Sequence, residues 1–351
     1  RGDAKIPRHI GQGAGAFSKE VPAASNPDST GGIGAGKWLS VGDAVLRTKL
    51  SESDGSTLVG GSSYVVDSFD DALHASAGNS KVIITRGHTA TGIGSATYIR
   101  NDSTGTPSTG NELSFYDASG SGWTLRTDGV IDCRQFGIKG DGTNETVKVQ
   151  LWLDCCAEVG AEAYIPSTIS PSAIGVVINS NHNGLKFNFE GFLKFYGNGN
   201  SPVNKPAHID SGECYCLYLD GVSEISGFIR IDGNRADKQD LEQVHCIGLF
   251  GGSNHNVSYE CKECQGDGLL INQLDGNATS AIPKNINIKY FKSLNSDYFG
   301  RNALSVISVE GLTISTFISL KHGGIIDGRV MTGGLDIEPN YFYQKCTNIV
   351  V

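Results

Sequence analysis

Hydrophobic and polar residues alternate in short runs along most of the chain, the pattern of half-buried β-strands. In the second half one five-residue unit recurs, with a small first residue and aliphatic residues at positions two and four. Repeats of this size, each too small to fold alone, predict a solenoid of stacked coils. The segments are Cys216–Asp220, Cys246–Phe250, Gly268–Asn272, Ala303–Ile307 and Gly334–Glu338, at spacings of 30, 22, 35 and 31 residues.

A second alternating run follows each segment. Two strands per repeat predict parallel sheets in which each coil pairs with the next at a separation of ~4.8 Å. The last run continues to Val351, and because stacked repeats need a polar end or a partner, we expect a chain that is truncated at its C-terminus. The runs are Phe228–Ile231, Asn256–Glu260, Ile286–Tyr290, Leu312–Phe317 and Cys346–Val351.

One helix is predicted ahead of the repeats, over residues 144–160. Asn144 can cap its start and Gly160 can end it. An apolar stripe recurs every four residues, so the helix needs a surface to cover, and we expect it to cap the open first coil. The stripe consists of Val147, Leu151, Cys155 and Val159.

The N-terminal part has a different character. Residues 1–36 are rich in Gly, Ala, Ser and Pro without periodicity, which predicts an extended arm or linker. Residues 37–128 predict a small mixed α/β region, with a short helix after Asp43, a second beginning at Ser68, and strand runs at 81–85, 95–100, 113–116 and 123–126. Residues 129–351 then form the solenoid, interrupted only by its helix.

Composition narrows the classes of partner. The net charge is −9 and no cluster of Lys or Arg is present, which argues against nucleic acid. No apolar run reaches the ~18 residues of a membrane span, so membrane insertion is not expected. The nine cysteines are an odd number without a secretory leader, which predicts reduced thiols. Cys261 and Cys264 have the spacing of half a zinc site but lack a second half, so no metal or cofactor is predicted.

Three segments carry a family resemblance. Asp132–Thr146 resembles the opening segment of the pectate-lyase-like right-handed β-helix superfamily, and Gly334–Asn340 is similar to its later coils. Residues 37–60 resemble the segment that precedes this helix in bacteriophage tailspikes. The resemblance implies an all-β fold, a single-stranded right-handed parallel β-helix (β-solenoid) with an N-terminal capping helix.

The resemblance also implies a function. It predicts a trimeric virion protein, made in the host cytoplasm, whose N-terminal region attaches to other phage tail or baseplate proteins. The β-helix would bind, and often cleave, a bacterial surface polysaccharide such as capsule or O-antigen. The adjacent Asp-Asp pair of polygalacturonase-like members is absent from the solenoid region, and the calcium-and-base pattern of the lyases is not evident. Their catalytic residues are therefore not carried over.

Side chains alternate along a strand, so positions three and five of the repeat should point outward. The resulting surface mixes carboxylates, amides and aromatic rings, which suits a sugar chain. A loop or a neighbouring subunit over Leu270 and Ile307 would instead make it an interface. The predicted substrate-binding residues are Tyr218, Phe250, Asn272, Arg301 and Ser305.

Three carboxylates are the catalytic candidates. Asp336 and Glu338 are two residues apart on one strand face, ~6.6 Å between Cα atoms, and can serve as the acid and partner of a glycosidase. A structural ladder with Arg301 is the alternative. Asp267 is either a turn former between glycines or a catalytic residue. Arg301 binds an anionic sugar group or pairs with Asp297 or Asp336.

Two functions from different classes remain open. The first is a polysaccharide depolymerase, a glycoside hydrolase in preference to a lyase, and the paired outward carboxylates favour it. The second is a noncatalytic receptor-binding or adaptor subunit of the phage tail. A C5-epimerase is a third and weaker reading, since only Gly334–Glu338 is similar to such enzymes.

Overall fold

A computed structural model describes residues 47–51, 63–197, 205–210, 212–235, 242–275, 280–296, 300–326, 329–330 and 333–351. The predicted arm at 1–36 lies outside these residues, as does Asp43. Residues 47–50 are helical and exposed. The chain divides into two compact units, one containing residues 71–84 and 97–124, the other residues 67–70, 85–96 and 125–351.

Residues 63–125 contain a six-stranded sheet and a short helix. The helix α1 is Phe69–Leu73. The strand order in the sheet is β1-β2-β3-β6-β5-β4. Every strand run predicted in this region is present, whereas the helix is only five residues long. The strands are β1 Ser63–Val66, β2 Val82–Thr85, β3 Ala96–Thr104, β4 Thr109–Gly110, β5 Ser114–Tyr116 and β6 Ser121–Leu125.

The second unit is built almost entirely from strands. It contains the helix α2, Thr146–Val159, and two short 3-10 helices, Cys133–Phe136 and Ser180–His182. The strands are β7 Val130–Asp132, β8 Glu162–Ile165, β9 Ser172–Ala173, β10 Val176–Asn179, β11 Lys186–Phe189, β12 Leu193–Phe195, β13 Cys214–Asp220, β14 Ser226–Asp232, β15 Val244–Phe250, β16 Ser253–Lys262, β17 Leu269–Asn272, β18 Lys284–Leu294, β19 Leu304–Val306, β20 Val309–Ile314, β21 Phe317–Leu320, β22 Ile325–Ile326, β23 Arg329–Val330, β24 Leu335–Ile337 and β25 Cys346–Val350.

Two parallel sheets run through this unit, as the repeat predicts. One has six strands in the order β10-β13-β15-β17-β19-β24, and the other has eleven strands with the main path β25-β20-β18-β16-β14-β11-β8-β7. Strands alternate between the two sheets along the chain, which is the arrangement of an all-β solenoid. The antiparallel pair β22–β23 stands apart from both.

The register of the six-stranded sheet confirms the alignment of the five segments. Position two forms one ladder, in which Leu217, Ile247, Leu269, Leu304 and Leu335 pair in succession. These aliphatic side chains face the core, and the first four are fully buried. Burial of a leucine-sized side chain contributes ~2 kcal/mol, so this ladder is a main source of coil-to-coil cohesion.

Strand β10 adds a coil ahead of the five aligned segments. Val176 pairs with Leu217 and Ile178 pairs with Leu219. The segment Gly175–Asn179 therefore occupies the position of a sixth repeat, 41 residues before Cys216. The solenoid thus begins earlier than the five aligned segments indicate.

The helix α2 occurs where it was predicted but presents a different face. Its end at Gly160 has the left-handed conformation that glycine favours, with φ 68°. Asn144 Oδ1 accepts a bond of 3.0 Å from Thr146 N. The predicted stripe is wrong at both ends, because Val147 is 79% exposed and Val159 44% exposed. Cys155 is buried as predicted, together with Val149, Trp152, Leu153 and Cys156, which the stripe does not include.

The helix packs on the first coil through Trp152. It contacts strands β8, β9 and β10. The Trp152 indole stacks on Phe189 and its Nε1 donates a 3.1 Å bond to the Ile131 carbonyl. None of the nine cysteines, all of which the structure describes, is in a disulfide, and eight are buried, as expected of small core residues.

Candidate functional site

A group of charged and polar side chains lies where strands of the six-stranded parallel sheet, β10-β13-β15-β17-β19-β24, begin. Glu213 directly precedes β13, Glu242 lies two residues before β15, and Asp267 lies two residues before β17. Arg301 lies three residues before β19, and Asp336 is in β24. Because parallel strands in register begin at one edge of a sheet, these side chains, far apart in sequence, come together. We call Glu213, Glu242, Asp267, Arg301 and Asp336 the strand-start cluster.

Asp267 is the buried centre of the cluster, with no exposed surface. Its Oδ1 accepts a 3.1 Å bond from the Asn302 backbone N–H, whereas its Oδ2 has no hydrogen-bond partner among the described residues. Burial raises the pKa of Asp267 to about 6, against the opposing effect of the Arg301 cation. A carboxyl group with such a pKa carries its proton part of the time near neutral pH.

His245 lies against Asp267 but does not neutralise it. Its Nδ1 accepts a 2.8 Å bond from the Asp267 backbone N–H, so the ring proton is on Nε2, which is 3.0 Å from Gln243 Oε1. Burial and the Arg301 cation lower the pKa of His245 well below its ordinary value. His245 Nδ1 lies 3.4 Å from Asp267 Oδ2. Because the imidazole is neutral, this contact is not an ion pair.

Arg301 is shared between two carboxylates. Its Nε lies 3.5 Å from Glu242 Oε1 and 3.6 Å from Asp267 Oδ1, and one terminal nitrogen donates a 3.3 Å bond to Gln243 Oε1. The sequence prediction offered Asp297 or Asp336 as partners. Asp297 lies outside the described residues, and the ion-pair partners found are Glu242 and Asp267. The guanidinium is thus already engaged by this chain's own carboxylates.

Asn302 connects the two aspartates. Its backbone N–H bonds to Asp267, and its side-chain Nδ2 donates 3.1 Å bonds to Asp336 Oδ2 and to Ser305 Oγ. Asn302 and Ser305 are buried, while Asp336 is partly exposed. The arrangement places a buried carboxyl of raised pKa behind a carboxylate that solvent reaches.

Glu213 supplies a second carboxyl in an unusual environment. Its Oε2 accepts a 3.0 Å bond from the Tyr215 hydroxyl, and burial raises its pKa. The Tyr215 ring stacks on His245 with centroids 4.8 Å apart. This stack joins Glu213 to the centre of the cluster.

The predicted substrate-binding residues do not all lie on an open surface. Tyr218 and Phe250 are buried with Leu270, Tyr215 and Ile209, so the expectation that these two rings face solvent is wrong. Ile209 belongs to the described part of the loop before β13, residues 205–210 and 212–213, which covers the sheet. The loop cover offered above as an alternative for Leu270 is the arrangement found, since Ile209 packs against it.

Asn272 and Glu338 lie away from the strand-start cluster, at the C-terminal ends of two strands. Asn272 is the last residue of β17, and Glu338 directly follows β24. Asn272 is partly exposed and its Oδ1 accepts a 3.3 Å bond from Gln344 Nε2. Glu338 is exposed, and its backbone N–H bonds to the Val306 carbonyl. The described residues show no side-chain bond from Glu338 to the strand-start cluster, so of the two carboxylates predicted as a pair only Asp336 is part of it.

Sequence reasoning did not select Glu213, Glu242, His245 or Asn302. All four lie at or just before the start of a repeat strand. The available signal was position, since polar residues just ahead of aligned strands must meet at one sheet edge. Among the described residues, no group of three or more His, Cys, Asp or Glu side chains is arranged to hold a metal ion.

A family comparison identifies the N-terminal segment. Residues 12–43 match the tail spike TSP1/Gp66 receptor binding N-terminal domain. This match confirms the predicted resemblance to a bacteriophage tailspike. The matched residues lie outside those that the structure describes. No described helix is long and apolar enough to cross a membrane.

Solved structures with similar architecture include a bacterial protein and phage tailspikes. A glycosyl hydrolase candidate from Parabacteroides merdae ATCC 43184 has TM-score 0.42 and 15% identity, covering 60% of this chain and 96% of that one. The enzymatically active domain of bacteriophage CBA120 tailspike protein 4 has TM-score 0.31 and 15% identity, covering 97% of this chain and 63% of that one. The corresponding domain of tailspike protein 2 has TM-score 0.27 and 12% identity, covering 85% and 59%.

Proposed function

We propose that this chain is part of a phage tailspike that binds a bacterial surface polysaccharide, capsule or O-antigen, and cleaves it as a glycoside hydrolase. Its coils close into a single-stranded right-handed β-helix, three copies assemble in the virion, and the N-terminal region attaches to other tail proteins. The observation that carries the proposal is the pairing of buried Asp267 with partly exposed Asp336 through Asn302.

Glycoside hydrolysis uses two carboxyl groups in unequal environments. Asp336, which solvent reaches, is the carboxylate that contacts the sugar. Asp267, with a pKa of about 6, carries a proton part of the time near neutral pH and supports Asp336 from behind. Because Asp267 is fully buried, it acts as a positioning and proton-holding residue unless substrate opens the cluster.

Glu338 and Glu213 are the competing partners for Asp336. Glu338, which the sequence pairs with Asp336 on one strand face, directly follows β24 and is open to solvent. Glu213 is half-buried with a raised pKa, as an acid requires. Arg301 and Asn272 remain as proposed sugar contacts through hydrogen bonds. Ser305, also predicted as a contact, is buried and accepts a hydrogen bond from Asn302, so we propose that it positions Asn302.

The test is hydrolysis of capsule or O-antigen purified from candidate hosts, followed by new reducing ends. Asp336→Asn preserves shape and should lower kcat by ~10²–10⁴-fold while sugar binding survives. The catalytic partner of Asp336 is then identified with three further variants, Asp267→Asn, Glu338→Gln and Glu213→Gln. The one whose kcat falls by a similar factor marks the partner. Glu310→Gln, on the other sheet, is the matched surface control and should leave the rate unchanged.

The noncatalytic reading is tested by the same assay. A loop covers Tyr218 and Phe250, and Asp267 is fully buried, which are features expected of a structural stem. Full activity in Asp336→Asn would place the catalytic site elsewhere. No cleavage of any matched host polysaccharide would favour the receptor-binding or adaptor role.

A further inference from the structure

The strand-start cluster has an excess of negative charge. Four carboxyl groups belong to it, those of Glu213, Glu242, Asp267 and Asp336, and it contains one cation, Arg301. Burial raises the pKa of Glu213 and of Asp267, but even with both protonated the two remaining carboxylates outnumber the cation. His245 adds no positive charge, since its pKa is lowered well below the ordinary value. Around Glu213, the charges of Asp210 and Lys205 offset each other in sign.

The one cation of the cluster already lies within ion-pair distance of two carboxylates of this chain, although its Nε makes no hydrogen bond among the described residues. Arg301 Nε is 3.5 Å from Glu242 and 3.6 Å from Asp267. An incoming carboxylate or phosphate would have to displace one of these partners and leave it unpaired, and truncating or displacing one partner of a buried charge pair is costly. In a partly buried site, like charges on ligand and protein also repel each other more strongly than in water.

We infer that the site takes polysaccharide segments whose sugars beside the scissile bond are neutral or carry an amino group, and that it rejects uronates, sialates and phosphate-bearing sugars there. This inference rests on the proposed function and specifies its substrate class. The carboxylates and the amide of Gln243 match sugar hydroxyl donors, and a protonated amino group would add an ionic contact.

The same charge balance selects the reaction. In elimination, a base removes the proton beside a uronate carboxylate, the glycosidic C–O bond breaks, and an unsaturated sugar forms. That step needs cations to neutralise the uronate, and Arg301 is already engaged. In hydrolysis, a carboxyl group gives its proton to the leaving oxygen as the C–O bond breaks. Water bonds to the anomeric carbon and returns a proton to the carboxylates, so the protein is unchanged.

The experiment compares surface polysaccharides of known charge from candidate hosts, neutral and acidic. Each acidic polymer is also tested after its carboxyl groups are reduced to alcohols, which changes charge but not linkage. New reducing ends report cleavage, ultraviolet absorbance reports unsaturated uronates, and mass spectrometry identifies the sugars on both sides of the bond. We expect cleavage between uncharged or amino sugars, without the absorbance, and kcat/KM at least ~10-fold lower for any acidic polymer than for its reduced form.

Failure of the inference and of the proposed function give different results. Cleavage beside a uronate, with native acidic polymer preferred over its reduced form, overturns the inference while the depolymerase function stands. Cleavage of no polymer overturns the proposed function, and the inference with it. Glu242→Gln removes one charge and should narrow the gap between native and reduced polymer several-fold. Glu310→Gln, which removes a distant charge beside Lys284, should not. Equal effects of both variants would also overturn the inference.

Discussion

At the scale of single residues, Asp267 makes folding depend on pH. Its pKa rises from 3.8 to about 6 when the chain folds, because burial disfavours the charged form. Below pH ~4 the folded and unfolded forms are both protonated, and the stabilising contribution is fully present. As the pH rises through ~6 the folded chain must carry a buried negative charge, and the contribution is lost. The difference in pKa corresponds to roughly 3 kcal/mol.

The prediction is tested with Asp267→Asn, which cannot ionise. We expect the free energy of unfolding of the unchanged chain to fall, relative to that of the variant, by up to ~3 kcal/mol between pH ~4 and pH ~7. Urea titrations at several pH values measure it. Glu310→Gln is the control, because Glu310 is an exposed partner of Lys284 and should leave the profile intact. Parallel profiles for Asp267→Asn and the unchanged chain would contradict this account.

At the scale of elements, the helix α2 is held by one face. Trp152 is fully buried, stacks on Phe189 and bonds to Ile131, whereas Val147 points into solvent. Trp152→Ala should lower the free energy of unfolding by ~3–5 kcal/mol, since it leaves a large cavity. Val147→Ala, on the face that the four-residue spacing selects, should change it by less than ~0.5 kcal/mol. Urea denaturation compares the two, and equal losses would show that the helix packs differently.

The elements also show which parts of the fold a repeat pattern can predict. The ladder from Leu217 to Leu335 follows directly from the aliphatic positions, and Gly175–Asn179 has the same pattern and could have been found by extending the search. The helix face could not be found from spacing alone, because Trp152 packs against Phe189 and bonds to Ile131, which lie outside the aligned segments.

The candidate site shows the corresponding limit for chemistry. Alternation correctly aligned Ser305 with Asp336 across neighbouring coils. The alternation could not show that the loop before β13 covers Tyr218 through Ile209, since the path of a loop follows no sequence period. Glu213 and Glu242 lie in connections of unequal length, so they align in no column of the sequence. Only the strand register brings them beside Arg301.

At the scale of the whole molecule, self-association is the remaining expectation. Large apolar side chains are exposed in the last described coil, with Phe342 98% and Tyr341 57% exposed. An apolar surface of this kind in a water-exposed protein marks an interface. We therefore expect the full-length protein to form a trimer, as its resemblance to tailspikes implies. Light scattering should give three times the mass of the chain.

A variant of the exposed aromatic residues tests whether this surface contributes to the trimer. Replacing Tyr341 and Phe342 together with serine removes apolar area without touching the core, so the monomer should fold normally. If the surface is buried between subunits, the variant should dissociate at a protein concentration at least ~10-fold higher than the unchanged protein, because ~1.4 kcal/mol of lost apolar burial is enough for that factor. Ile99→Ser, an exposed apolar position outside the solenoid, is the control. A full-length protein that stays monomeric at all concentrations would contradict the trimer itself, whereas a trimer indifferent to the double substitution would place its contacts on another part of the surface.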